Sequence, residues 1–189
     1  MRIALLVAAL LGALAVVLGL VLARGGSEPE FRGSQPPPGL LIPSAAYSVA
    51  PELRGKAVAV TFLDTQCTEA CPIVAAQIGD AMRLVGDKEV LAVAFSVDPQ
   101  NDTPARIRSF LARFRAAGQL RFVRGSVAAL RPVWTGFQIQ PSVDTGNSNM
   151  HSVPVRIYDA EGEWRSTLHP GVDLTPANLA NDLQAALDT

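Results

Sequence analysis

The chain has 189 residues, 49% of them hydrophobic and 17% charged, and its 16 Lys+Arg nearly balance 17 Asp+Glu for a net charge of −1. That length suits one compact domain with an appendage, and without any basic run the composition excludes nucleic acid as a partner. Two cysteines and two histidines are present, so thiol or metal chemistry has few residues to draw on.

The chain opens "MRIALLVAALLGALAVVLGLVLARGG", in which Ile3 to Ala23 is free of charge and bracketed by Arg2 and Arg24. As a helix rising about 1.5 Å per residue this run covers roughly 30 Å, the hydrocarbon thickness of a bilayer. A cleaved signal peptide has a shorter apolar core and a small-x-small site, which "VLARGG" matches poorly, so residues 1–23 read as an uncleaved transmembrane anchor. An anchor of this type leaves the rest of the chain outside the cytoplasm, on the periplasmic or extracellular side, where a disulfide can persist. Residues 24–46 are dense in Gly, Pro and Ser. Proline fixes φ and removes donors, so this stretch reads as an extended tether, with the folded domain over 47–189.

From there strand-like and helix-like segments alternate. "KAVAVTFLD" (56–64) and "EVLAVAFSVD" (89–98) are continuous apolar runs, as expected of strands buried on both faces. Between them, 71–86 reads as a helix with Ile73, Ile78, Met82 and Val85 on its apolar face. "DTPARIRSFLARFRAAG" (102–118) has a helix start in which Asp102 or Thr103 can cap and Pro104 fits the first turn, with Ile107, Phe110, Leu111 and Phe114 as its core stripe. A short strand (120–125), a short helix (126–137), a hairpin (153–169) turning at Ala160 to Gly162, and a last amphipathic helix (175–188) complete the order. A βαβ start demands a parallel pair and the late hairpin an antiparallel one, so the expected fold is α/β, a mixed central sheet with flanking helices in the thioredoxin-like arrangement.

The only cysteines stand in "TFLDTQCTEACPIV" (61–74), where the first long strand meets the first long helix. Pro72 belongs in a first helical turn, which starts the helix near Ala70 or Cys71 and leaves Cys67 in the loop. Backbone N–H groups and the helix dipole favour a thiolate there, so at least one thiol should have a lowered pKa. Three intervening residues let Cys67 and Cys71 close a disulfide, act as a redox-active pair or hold a metal, and spacing alone does not choose among these. A static structural bridge would restrict the unfolded chain little across so small a loop.

A metal needs a third ligand. His151 follows a polar stretch, 140–150, that reads as a mobile loop delivering it to the start of a strand, whereas His169 in "TLHPG" reads as an exposed turn residue. Cys67, Cys71 and His151 together make a soft, three-point site that suits copper, Cu(I) before Cu(II), better than structural zinc, which wants a fourth ligand. Met150 is a conceivable thioether donor, and Asp64, Asp98 and Asp102 are candidate outer-shell groups, with turn and cap duties as the plainer account of the last two.

With "FRGSQPPP", "VAVTFLDTQCTEACP", "AFSVDPQNDTPARIRSFL" and "HSVPVRIYDAEG" in this order, the chain resembles the Sco/SenC family of membrane-anchored copper chaperones. The resemblance implies a thioredoxin-like fold and copper bound by Cys67, Cys71 and His151. It also implies a role in maturing the binuclear copper centre of cytochrome c oxidase, by copper delivery, by reduction of the receiving cysteines, or by both. The implied partners are the copper-receiving subunit of that oxidase or another copper chaperone. Thr68 stands where the family commonly has proline, and Met150 where it commonly has aspartate. Pro154 lies where a thioredoxin places a cis-proline before its final hairpin, so a cis Val153–Pro154 bond is expected. The competing reading is an extracytoplasmic thiol–disulfide oxidoreductase with no metal role, in which one thiolate attacks a substrate disulfide and the other resolves the mixed intermediate. A peroxidase reading is weaker, because Thr65 is one place out of register for it.

Overall fold

The computed structural model describes residues 29–189; the expected membrane anchor lies outside the described residues. Among the described residues no helix is long and apolar enough to cross a membrane. The elements run α1 (Ser44–Val49), a 3-10 turn (Pro51–Leu53), β1 (Ala57–Leu63), α2 (Ala70–Val85), β2 (Val90–Ser96), α3 (Pro104–Arg113), β3 (Arg121–Val123), α4 (Val127–Gly136), α5 (Ser142–Thr145), β4 (Val155–Tyr158), β5 (Trp164–Leu168) and α6 (Pro176–Leu187).

The five strands form one sheet in the order β3-β2-β1-β4-β5. β1 pairs in parallel with β2, from Ala57 opposite Val90 to Leu63 opposite Ser96, and antiparallel with β4 on its other side. A central β1 must be apolar on both faces, which is why its sequence does not alternate. Ala57, Ala59 and Leu63 pack against α2 and α6 through Val74, Ile78, Leu179 and Leu183. Val58, Val60 and Phe62 face the second layer, with Ala46 of α1, Leu130 and Trp134 of α4, and Phe137. The result is the expected mixed sheet between two helical layers, and the site lies at the end of the sheet where β1 finishes and the antiparallel β4 begins.

Three local expectations are corrected. In α2 the buried positions are Cys71, Val74, Ala75, Ile78, Gly79 and Ala81, while Ile73 is 51% exposed. The stripe is turned so that Cys71 itself begins it, because the first helical turn must point into the core under β1. α3 stops at Arg113 rather than running to 118. Arg115 takes a positive φ of 56° and Ala116 turns fully into the core. Gly79 permits this close crossing, since a Cβ there would lie 2.6 Å from the Arg115 carbonyl oxygen. The Val153–Pro154 bond is trans, as no cis peptide occurs among the described residues. The chain makes no turn between Ser152 and β4, and an extended entry takes the lower-energy isomer.

The expected tether is extended but lies against the domain. Ser34 exchanges backbone hydrogen bonds with Thr167 at the sheet edge, and Ile42 is 4% exposed. Asp182, wholly buried in α6, accepts from the backbone N–H of Arg32 at 2.6 Å and of Gly33 at 3.0 Å, and from Ser166 Oγ at 2.6 Å. With Asn181 Nδ2 as a fourth donor at 3.1 Å, this buried carboxylate fastens the segment through two backbone amides.

Candidate metal centre

Cys67 sits in the loop from β1 to α2, and its backbone N–H donates to the Asp64 carbonyl oxygen at 3.2 Å. Two buried carboxylates shape that loop. Asp102 accepts from Thr65 N at 2.8 Å, from Thr65 Oγ1 at 2.6 Å and from Ser96 Oγ at 2.5 Å. Asp64 accepts from Gln66 N at 2.8 Å and, through its other oxygen, from Ser142 Oγ at 2.7 Å. Thr103 caps α3, with its side chain accepting from Arg106 N, which frees Asp102 for the loop. Asp98 accepts from Asn101 Nδ2 at 2.7 Å and does ordinary turn duty.

His151 comes from the far side, in the segment between α5 and β4. The segment expected to be a mobile loop contains the helical turn α5 and a web of hydrogen bonds centred on Thr145 Oγ1, which contacts the carbonyl oxygens of Ser142, Asn147 and Met150. Thr68 N donates to Asn149 Oδ1 at 2.9 Å, stitching the two loops together. His151 Nδ1 lies 3.2 Å from the Ser152 carbonyl oxygen, which can only accept, so the proton belongs on Nδ1. The lone pair of Nε2 then faces Cys71 Sγ at 3.2 Å.

One donor atom each from Cys67, Cys71 and His151 lie within 4.8 Å of one another. The structure therefore brings together all three residues expected to hold a metal. His169 is elsewhere, donating its backbone N–H to Asp173 Oδ1 in an exposed turn, and the Met150 side chain is 59% exposed. Both cysteines are free thiols, so the expected disulfide is not formed in this structure. Two thiols and a neutral imidazole nitrogen fit a copper ion, and with three donors the cluster falls short of the four that structural zinc takes.

The two thiols are unequal. Cys67 is held at about 4, well below the ordinary thiol range. The main cause is the hydrogen bond from Cys71, which outweighs burial; the backbone amides of Cys71 and Glu69 add to it. Cys71 is pushed strongly upward, first by burial and next by its hydrogen bond with Cys67. The thiolate expected at the helix end thus forms on Cys67, because the free amides of the first turn of α2 point at the loop sulfur while Cys71 is packed into the core. Burial also raises the Asp64 carboxyl, against the lowering effect of the Gln66 amide and the Ser142 hydroxyl.

The family model described as SCO1/SenC matches residues 47–188. The chain belongs to the SCO1/SenC family. A SCO1 protein homolog of Bacillus subtilis (strain 168) is 31% identical over 64 residues, a stretch that covers 33% of this chain and 33% of that protein. The match thus spans about a third of that curated relative's length. Among solved structures, the copper-bound ScoI of Bradyrhizobium japonicum is similar at a TM-score of 0.61 and 28% identity, over 72% of this chain and 88% of that one. The apo Sco1 protein of Thermus thermophilus superposes at a TM-score of 0.65 with 21% identity, over 86% of this chain and 100% of that one, and shows the fold. Within a SCO1/SenC domain the motif cysteines and His151 were legible in the sequence. Ser142 was missed, since a lone serine in a polar loop has no signal; its meaning comes from its contact with Asp64.

Proposed function

We propose that this protein is a copper-binding chaperone that assists assembly of the binuclear copper centre of cytochrome c oxidase, delivering copper, reducing the receiving cysteines, or both. The observation that carries this reading is the convergence of Cys67, Cys71 and His151 donor atoms within 4.8 Å from two separate loops. Family membership and the copper-bound ScoI of Bradyrhizobium japonicum support it. The ion is cargo. Cys67 supplies a ready thiolate, Cys71 a second sulfur once its proton leaves, and His151 Nε2 a neutral nitrogen; an incoming pair of partner thiols displaces them one at a time. Residues 3–23 tether the domain to the membrane, with the site outside the cytoplasm.

The inequality of the thiols favours a second reading, thiol–disulfide exchange. The Cys67 thiolate attacks a substrate disulfide, forming a mixed disulfide and releasing one substrate sulfur as thiolate. Cys71, its proton passing to His151 Nε2, then attacks Cys67 Sγ, which releases the second substrate sulfur and leaves a Cys67–Cys71 disulfide for a reducing dithiol to restore.

An anaerobic Cu(I) titration of the purified chain tests the primary reading. One equivalent should bind tightly, and Cys67→Ser and His151→Ala should each weaken binding by at least about a hundredfold. Binding indifferent to His151 would overturn the three-ligand site and leave thiol exchange as the function.

A further inference from the structure

A cavity of about 650 Å³ opens between the Cys67 loop and α3. Its apolar wall is made by Pro72, Phe110 and Phe114, the two phenyl rings meeting edge to face with centroids 5.0 Å apart. Cys67 stands in the lining, and Arg106 and Arg113, two helical turns apart on α3, are exposed along the rim. No acidic side chain lines the cavity, and neither arginine forms an ion pair with a described residue. Arg106 Nη1 reaches only the Asn101 carbonyl oxygen, at 3.4 Å, and Arg113 lies over the Phe114 ring at 5.5 Å. By contrast Arg83 and Arg115 both bond to Asp80, and Arg131 to Asp144.

We propose that this groove docks the copper-receiving protein, and that it takes a segment of that protein in which an apolar side chain is flanked by acidic ones. The proposal rests on the copper reading above and names what recognises the partner. Cys67 is only 5% exposed, so a partner's thiols reach it only when held closely against this loop. The apolar side chain fills the space over Phe110 and Phe114. The flanking carboxylates meet two guanidinium groups that have no anionic partner among the described residues, which adds both attraction and register. On the side toward His151 the groove ends at Thr68, whose backbone N–H is taken by Asn149.

The test uses the full chain in detergent and three short synthetic peptides lacking cysteine, so that neither copper nor thiol chemistry enters. Their centres are Glu-Leu-Glu, Lys-Leu-Lys and Glu-Ser-Glu, and binding is read by fluorescence anisotropy. The first should bind about tenfold or more tightly than the other two. The double reversal Arg106→Glu with Arg113→Glu should invert the preference between the first two. Ser109→Trp, an exposed substitution on the same helix face, should weaken the first peptide by blocking the groove. Equal binding of the acidic and basic peptides, or indifference to both sets of substitutions, overturns the proposal. So does a self-association of the unliganded chain that Ser109→Trp abolishes, which would assign the groove to a second copy. Copper stoichiometry is measured on the same preparation: intact copper binding without peptide selectivity sinks the groove alone, while selectivity without copper binding sinks the copper reading alone.

Discussion

The loop that carries Cys67 and the segment that carries His151 approach the same point by opposite means. The first is pinned from below by two wholly buried carboxylates, Asp64 and Asp102, which between them take two backbone amides and three hydroxyls. The second is held mostly by exposed side chains, with Thr145, Asn147 and Asn149 bonding to one another's backbone. It is tied into the buried layer around Ser142, whose hydroxyl meets Asp64 at 2.7 Å and the Val97 carbonyl oxygen at 3.2 Å, with Val143 N donating to that same carbonyl at 3.1 Å. The contrast teaches that the sulfur side of the site is preorganised by burial, while the nitrogen side rests on fewer buried bonds and more exposed ones.

The sharpest way to break the contrast is Asp102→Ala. It leaves the Thr65 amide and the buried Ser96 hydroxyl without an acceptor, and should cost about 3 kcal/mol in chemical denaturation at about pH 4, where burying the ionised carboxylate no longer offsets the lost bonds. A loss below about 1 kcal/mol would mean the sulfur loop is not held from beneath.

The same carboxylate gives a pH signature. Burial raises Asp102 from 3.8 to about 6 despite its three hydrogen bonds. Between those values the native state holds a proton that the unfolded chain has released, so this group destabilises the fold as pH rises from about 4 to about 6. Asp102→Asn should remove that contribution, at most about 3 kcal/mol, from the wild-type stability profile. Parallel profiles for the two proteins would refute it.

Ser142→Ala tests the side-chain tie of the nitrogen side to the buried layer. It leaves Asp64 Oδ2 short of a donor and should cost about 1 to 2 kcal/mol. Cu(I) affinity should fall about tenfold, because the segment that carries His151 loses one of the contacts that fix it. Unchanged affinity would place the anchoring of His151 elsewhere. The smallest effect is expected for Asn149→Ala, with stability altered by less than about 0.5 kcal/mol. Its signature is kinetic: a chelator should strip copper about threefold faster once the exposed stitch to Thr68 is gone.

What the sequence by itself determined follows from periodicity and from residue types with few alternatives. The two unbroken apolar strands, the Thr-Pro helix starts at 103 and 175, the placement of Pro72 and the scarcity of cysteine and histidine were enough for the α/β order and the Cys67, Cys71 and His151 trio. The strands, helix starts and Pro72 are local signals carried by neighbours a few residues apart, and the scarcity of cysteine and histidine is a matter of composition. The tertiary structure decided what depends on partners far along the chain. It turned α2 so that Cys71 is buried and Ile73 exposed, and it ended α3 early where Arg115 crosses Gly79. It bound the proline-rich segment to Asp182 and placed the thiolate on Cys67 rather than Cys71. Burial and hydrogen-bond partners set a helix's phase and a sulfur's proton, and both are fixed only when segments some 80 residues apart, such as Cys71 and His151, meet.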